Sequence, residues 1–303
     1  MIDKLLQENR FSFYAPFFRV FICIYLLKDI IIMWQFNDII YKGNSFAYPN
    51  LSPFLETFNI NTHLVRENFN VFYSIYILLI LLFLLGIGKR ITVFFLFICI
   101  EITQNLAWIT LNGGDNILKF AILYFIFIDS YSKYSITPLK YKSEYSRQIG
   151  NLLSNLGGYS LCFHFCLVYL VSALHKINAD VWFNGVATYY ILGSERFRGT
   201  PWNVALVKNG FFVTLTTYGA VIIELFFPFL VWNKRFKFLL LIAAALLHLG
   251  IAIFMMLYDF QILFILILGF FITNKEWTII HQKISHNLYS LKTFFIKESS
   301  IKF

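Results

Sequence analysis

The sequence predicts an all-α fold, a polytopic integral membrane bundle of about eight transmembrane helices with both termini on the cytoplasmic side. Three observations carry this expectation. Of 303 residues, 14% are charged and 59% hydrophobic, against roughly 25% charged in a soluble domain, so polar surface is too scarce for a water-borne globule. The mean hydropathy is +0.68, and the apolar residues fall in long uninterrupted runs, the mark of spanning helices. Finally, basic residues cluster in the short connections between those runs, where Lys and Arg set membrane orientation. A chain of this length suits a single bundle over residues 1–303 and leaves no room for a large soluble domain.

The first apolar stretch, 14–36, carries Arg19, Lys28 and Asp29 and lacks a small-residue cleavage site, so it predicts a retained helix and not a removed signal peptide. The others run over 69–87, 91–111, 115–132, 157–175, 211–232, 236–256 and 259–273. Most are long enough to cross roughly 30 Å of hydrocarbon. One side of the membrane then holds Lys4 and Arg10, Lys89 and Arg90, the group Lys133, Lys140, Lys142 and Arg147, then Lys234, Arg235 and Lys237, and a basic tail over 274–303 ending near Lys302. The turns Gly113-Gly114-Asp115 and Tyr258-Asp259 on the other side carry no basic residue. Two longer loops on that outer side cut against the pattern, one with Lys42 and Arg66, the other with Lys176, Arg196, Arg198 and Lys208. The inner segments outweigh them, which puts both ends inside. The outer loops are aromatic and contain Pro49, Pro53 and Pro201. Within them Asp180–Tyr190 is amphipathic enough to lie in the interface as one short helix.

The net charge of +9 therefore speaks of topology, and nothing in its distribution predicts nucleic-acid binding. Cys23, Cys99, Cys162 and Cys166 all fall within predicted helices, where buried thiols behave as small apolar groups. No partner pairs at zinc spacing accompany them, so no metal site is expected. Phosphate loops, HExxH motifs and nucleophile elbows are also missing.

Polar groups inside spanning helices are costly and by default face the bundle interior. The third helix carries Glu101, Gln104, Asn105, Trp108 and Asn112 as one stripe aimed at the Gly-Gly-Asp turn. The sixth aligns Thr214, Thr217 and Glu224, the seventh holds His248, and the fifth has Tyr169 and Lys176 on a common face. Each alone is compatible with helix packing. Together they predict an outward-opening polar pocket.

From the fifth helix onward, Tyr169-Leu-Val-Ser-Ala-Leu-His-Lys176-Ile-Asn-Ala-Asp180-Val-Trp182-Phe-Asn-Gly185-Val-Ala-Thr-Tyr-Tyr190 resembles the signature of the vitamin K-dependent γ-carboxylase membrane domain. This is the HTTM superfamily, which includes the SdpB family of bacterial antimicrobial-peptide systems. Thr216-Thr217-Tyr218 leading to Glu224-Leu-Phe-Phe-Pro228, the His248…Met255 helix with its Tyr-Asp exit, and the opening Pro16-Phe-Phe-Arg19 resemble it too. The resemblance implies that Lys176 is a base acting on a reduced quinone of the vitamin K or menaquinone type. The oxygenated quinol then removes a γ-proton from peptide glutamate, to which CO2 adds. That chemistry needs a neutral lysine, and partial burial beside Trp182 and Tyr169 would disfavour its ammonium form. The family places an Asn-His pair where this chain has Gly114-Asp115, which puts carboxylation itself in doubt. The large domain that grips substrate propeptides is also missing.

Three functional expectations follow. The first is an SdpB-like protein of the bacterial cytoplasmic membrane, acting from the outer side in maturation or export of a secreted peptide toxin, with membrane lipids and proteins of the same system as partners. The second is a quinol-dependent oxygenase or carboxylase with Lys176 as base and Asp115, Glu101 and Glu224 as orienting groups. Asn112, Tyr169, Trp182, Tyr218 and His248 would hold its cofactor. The third is a non-catalytic lipid- or quinone-binding scaffold.

Overall fold

A computed structural model describes residues 2–42 and 52–299, with side chains placed for 3–42 and 52–286. Pro49 and Lys302 lie outside the described residues. Among those described, regular structure is helical throughout. Helices form at all eight apolar stretches: α2 (Ala15–Trp34), α5 (Phe69–Leu85), α6 (Lys89–Leu106), α7 (Gly113–Phe125), α8 (Glu144–Ile177), α12 (Gly210–Leu230), α13 (Lys237–Met255) and α14 (Tyr258–Ile267). Short helices fill the connections: α1 (Ile2–Gln7), α3 (Pro53–Thr57), α4 (Thr62–Glu67), α9 (Asp180–Phe183), α10 (Ala187–Gly193) and α11 (Trp202–Val207), with α15 (Asn274–Ser299) at the end. By length and composition three helices can cross a membrane: α8, α12 and α13. A fourth is added if Tyr258–Phe271 and Asn274–His286, bent by 112° at their break, count as one span.

Boundaries depart from expectation where capping chemistry overrides hydropathy. The fifth helix begins at Glu144, thirteen residues before the expected 157, because Ser143 and Ser146 exchange side-chain-to-backbone hydrogen bonds of 3.1 Å in a capping box. In contrast, α6 stops at Leu106 and passes into a 3-10 turn at Trp108–Thr110, while α7 stops at Phe125 and not at 132. The expected interfacial helix over 180–190 is two helices. Gly185, at φ +72°, breaks it, and a Cβ there would sit 2.9 Å from the Tyr218 ring.

Packing divides the helices into two groups that share a seam. In one, α2 packs on α5, α5 on α6 and α6 on α7. In the other, α8 packs on α12, α12 on α13 and α13 on α14. Contacts of α7 with both α8 and α14 close the seam. Cys23, Cys99, Cys162 and Cys166 are free and buried, so their packing role matches the apolar reading.

At the end of the bundle that gathers the expected inner segments, polar side chains strap the N-terminal segment down. Asn155 on α8 is fully buried; its Nδ2 donates to the Leu5 and Glu8 carbonyls at 2.8 Å, and its Oδ1 accepts from the Arg10 amide at 2.8 Å. Asn151 adds a bond to the Leu6 carbonyl, and Asn274 holds the Asn9 carbonyl and the Phe13 amide. Glu276 accepts from Lys237 at 2.6 Å and from the Thr273 amide and hydroxyl. Partial burial alone would raise its pKa, but these donors hold it below the ordinary carboxylate range. Replacing Asn155 by Ala takes the side-chain partner from three backbone groups at once. At about 1 kcal/mol or more for each, N155A should lower stability by about 3 kcal/mol. Detergent-solubilised thermal unfolding would read this loss, and limited proteolysis should show early cleavage before Arg10.

Candidate functional site

Two cavities flank the first turn of α14. Asp259 lines one; Phe260 and Gln261 line the other. The seam is tight: a Cβ built on Gly113 or Gly114 would meet the Phe260 ring at 3.2 or 3.1 Å. The Gly-Gly-Asp turn is thus the place where α7 accepts an aromatic side chain from α14.

The second cavity, about 390 Å³, lies among α8, α10, α12, α13 and α14. Its walls are apolar (Phe212, Ala220, Leu246, Ile251, Phe254 and Met255 among them), and its polar groups include Lys176, Glu224 and Gln261. Lys176, in the last turn of α8, pairs with Glu224 Oε1 on α12. Trp182 on α9 lies beneath the amine, its ring centroid 4.9 Å from Nζ. Both contacts stabilise an ammonium. Trp182 offers its π face to Nζ, while Tyr169, expected beside the lysine, turns elsewhere. The remaining oxygen of the carboxylate, Glu224 Oε2, is buried without a hydrogen-bond partner.

Tyr169 instead meets His248, its hydroxyl 2.6 Å from Nε2, and His248 Nδ1 meets Gln261 Oε1. With the Gln261 oxygen accepting, Nδ1 carries the proton and Nε2 accepts from the tyrosine. All three side chains are buried, so the chain fixes the Gln261 amide at the cavity wall. Above it the hydroxyls of Thr216 and Thr217 each donate to Thr188 Oγ1 at 3.0 Å and fasten α10 to α12. Thr214, expected on the same stripe as Thr217 and Glu224, faces outward.

The first cavity, about 150 Å³, takes Gln104 and Asn112 of the expected stripe into its lining, without Glu101, Asn105 or Trp108, and shares no lining residue with the Lys176 cavity. Asp115 and Asn112 form the capping box of α7, with the Asn112 amide donating to Asp115 Oδ2 at 2.7 Å. Gln104 Nε2 donates to the Asp115 carbonyl at 2.7 Å. Glu101 turns toward Lys119 at 3.4 Å. Tyr218, expected at a cofactor, is half exposed and donates to the Phe183 carbonyl at 2.8 Å. Of the nine expected site residues, Lys176, Glu224 and Trp182 therefore line one cavity, while His248 and Tyr169 stand behind its wall and reach it only through Gln261. Asp115, Glu101 and Asn112 belong to the neighbouring group of helices, and Tyr218 to the loop above. Sequence reasoning missed Gln261; its position three residues into the helix opened by Tyr258 was the available signal. Among the described residues, no group of three or more His, Cys, Asp and Glu side chains is placed to hold a metal ion.

No family model matches the chain, and no solved structure matches it. It is similar to the uncharacterized protein YitO of Bacillus subtilis (strain 168), 24% identical over 247 residues, which span 77% of this chain and 78% of that protein.

Proposed function

We propose that this chain is a bacterial cytoplasmic-membrane protein with eight spanning helices and both ends inside, related to the HTTM superfamily and similar to SdpB. In this reading it takes a lipophilic reduced quinone into the Lys176 cavity, in the service of maturing or exporting a secreted peptide. Several features support the membrane assignment. Large apolar side chains are exposed on many helices, among them Ile91, Phe163, Phe211, Phe229, Leu239 and Leu246, a surface that water would penalise and lipid would not. Contacts also sort the helix ends as alternating spans require. Asn155 meets the N-terminal segment and Lys237 meets Glu276 at one end, while Lys28 meets Asp259 and Asn203 meets the Phe254 carbonyl at the other.

The observation that carries the functional reading is the form of the cavity. Its volume falls within the roughly 300–1,000 Å³ typical of small-molecule sites, its walls suit an isoprenoid-like tail, and its polar residues suit a ring with oxygens. A quinol would supply a weakly acidic hydroxyl and two reducing electrons. Glu224 Oε2 can accept a hydrogen bond from a hydroxyl, the Gln261 amide can donate to an oxygen, and the Lys176–Glu224 pair offers an adjacent proton acceptor and donor. Asp115 and Glu101 have no part in this scheme.

Oxygen-dependent quinol oxidation by protein in nanodiscs, with O2 taking the two electrons, tests the reading. K176A should lower the rate at least tenfold with unchanged helicity. Gly250→Leu should abolish quinone binding, because Gly250 lines the cavity and a Cβ there meets nothing within 4 Å. Quinone binding unaffected by Gly250→Leu would overturn the assignment. The ion pair at Lys176 favours one alternative, a quinone- or lipid-binding scaffold without turnover. That alternative holds if Gly250→Leu blocks binding while the unaltered protein oxidises no quinol.

A further inference from the structure

The cavity between α2, α5, α6 and α7 has no part in the proposed quinone chemistry, and its lining has a composition of its own. Tyr25, Tyr41 and Tyr76 reach it, and they are only 6%, 3% and 4% exposed. The fourth tyrosine there, Tyr73, spends its hydroxyl on the Ile30 carbonyl at 3.4 Å. Among the described residues the hydroxyls of the other three have no acceptor, although buried polar groups are nearly always paired. Three carboxylates, Asp29, Asp115 and Asp259, share the wall.

One ammonium already shows what this environment accepts. Lys28 Nζ lies 3.0 Å from Asp29 and 2.5 Å from Asp259, and 4.5 Å from the centroid of the Tyr25 ring. Lys28 is not itself among the lining residues. Against three carboxylates its single charge leaves the site net negative, so an anion is repelled and a cation is attracted. Beside apolar side chains such as Ile30 and Ile100, the lining offers carboxylate and phenol oxygens and aromatic faces, which match a group with several N–H donors and no acceptor. A volume of about 150 Å³ is on the scale of a cavity that holds benzene, and so admits a short organic cation only.

We propose that this cavity binds a compact primary ammonium, R–NH3+, with Tyr41 and Tyr76 as hydrogen-bond acceptors and Asp29, Asp115 and Asp259 as counter-charges. Two sources carry this chemistry at a membrane surface: the ethanolamine of a lipid headgroup and the amino terminus of a peptide. The inference does not rest on the quinol reading, and Gly250→Leu should leave ammonium binding unchanged.

The test is titration of the purified full-length protein in nanodiscs with ethylammonium chloride, followed by thermal shift. Saturable stabilisation is expected, with no effect from ethanol or from potassium chloride at equal concentration. Tyr41→Phe/Tyr76→Phe removes two hydroxyls that donate to none of the described residues, so the variant should melt like the parent without ligand. Its affinity for ethylammonium should fall at least tenfold, since hydrogen bonds to charged groups contribute roughly 1.5–3 kcal/mol each. Competition by glycerophosphoethanolamine would assign the lipid source. Competition by a short peptide, lost on N-acetylation, would assign the peptide source. Equal response to potassium chloride or ethanol, or unchanged affinity in the double variant, overturns the proposal.

Discussion

Lys176→Met should cost about 3–5 kcal/mol of stability, the typical result of stripping one partner from a buried ion pair. The side chain of Glu224 is only 9% exposed, and its second oxygen already lacks a partner. Once the lysine is gone, the carboxylate loses the one hydrogen-bond partner it has among the described residues. Glu224→Leu should cost less, about 1–2 kcal/mol, because Lys176 is 20% exposed, sits at the end of its helix and keeps the Trp182 ring beneath it. The double variant Lys176→Met/Glu224→Leu should recover most of the loss, since two apolar side chains match the walls of that cavity. The three variants form a cycle whose coupling energy is read from unfolding midpoints in a detergent series. Additive costs would mean that the pair is not formed in the folded protein. Quinol oxidation should be lost in all three variants, so recovery of stability without recovery of activity separates the chemical role of the pair from its structural one.

How far the sequence reaches is shown by the same residues. Apolar runs placed eight of the long helices because burial in an apolar medium demands runs of that length, whichever neighbour covers them, whereas α15, 26 residues long, lies over the expected basic tail. Helical periodicity likewise put Lys176 and Tyr169 on one face of α8, and both do point inward. What periodicity lacks is the partner. Glu101 and Gln104 do share a face of α6, but that face meets α7, with Lys119 and Asp115 as its contacts, and Asn112, expected on the same stripe, caps α7 instead. A pattern on one helix specifies an angle about its own axis and says nothing of which helix lies at that angle. Glu224, 48 residues from Lys176, was named with Asp115 and Glu101 as an orienting group, but which of the three pairs with the lysine was not legible for the same reason. Helix starts were legible only where the cap was sought, and Ser143-Glu-Tyr-Ser146 shows that a polar run can open a helix well before its apolar part. Gly114-Asp115, which departs from the carboxylase pattern, has a physical assignment of its own: the glycine admits Phe260 and the aspartate caps α7.

Arg19 supplies the second large effect. It is fully buried, with a guanidinium that donates to the Lys133 carbonyl at 3.2 Å and to the Tyr134 carbonyl, and it lies 5.3 Å from the centroid of the Tyr131 ring. The segment it holds is pinned a second time, by the Ile136 amide on the Leu85 carbonyl and by Thr137 on the Gly86 carbonyl. Gly86, at φ +72°, closes α5, and a Cβ there would come 2.6 Å from Arg19 Nη1. One side chain thus joins α2, the end of α5 and the loop leading to α8. Arg19→Ala would leave two carbonyls unpaired at about 1–3 kcal/mol each, together with a cavity where the side chain was. Offsetting this, Nε and Nη1 have no partners now, so part of the cost of burying the charge would be relieved. The expected net loss is about 4 kcal/mol, among the largest for any single substitution here. Arg19→Lys, which keeps the charge but can reach only some of these acceptors, should recover less than half. Unfolding midpoints of the two variants would decide it. A loss under about 1 kcal/mol for Arg19→Ala would mean that the loop is held by its contacts to Leu85 and Gly86 alone.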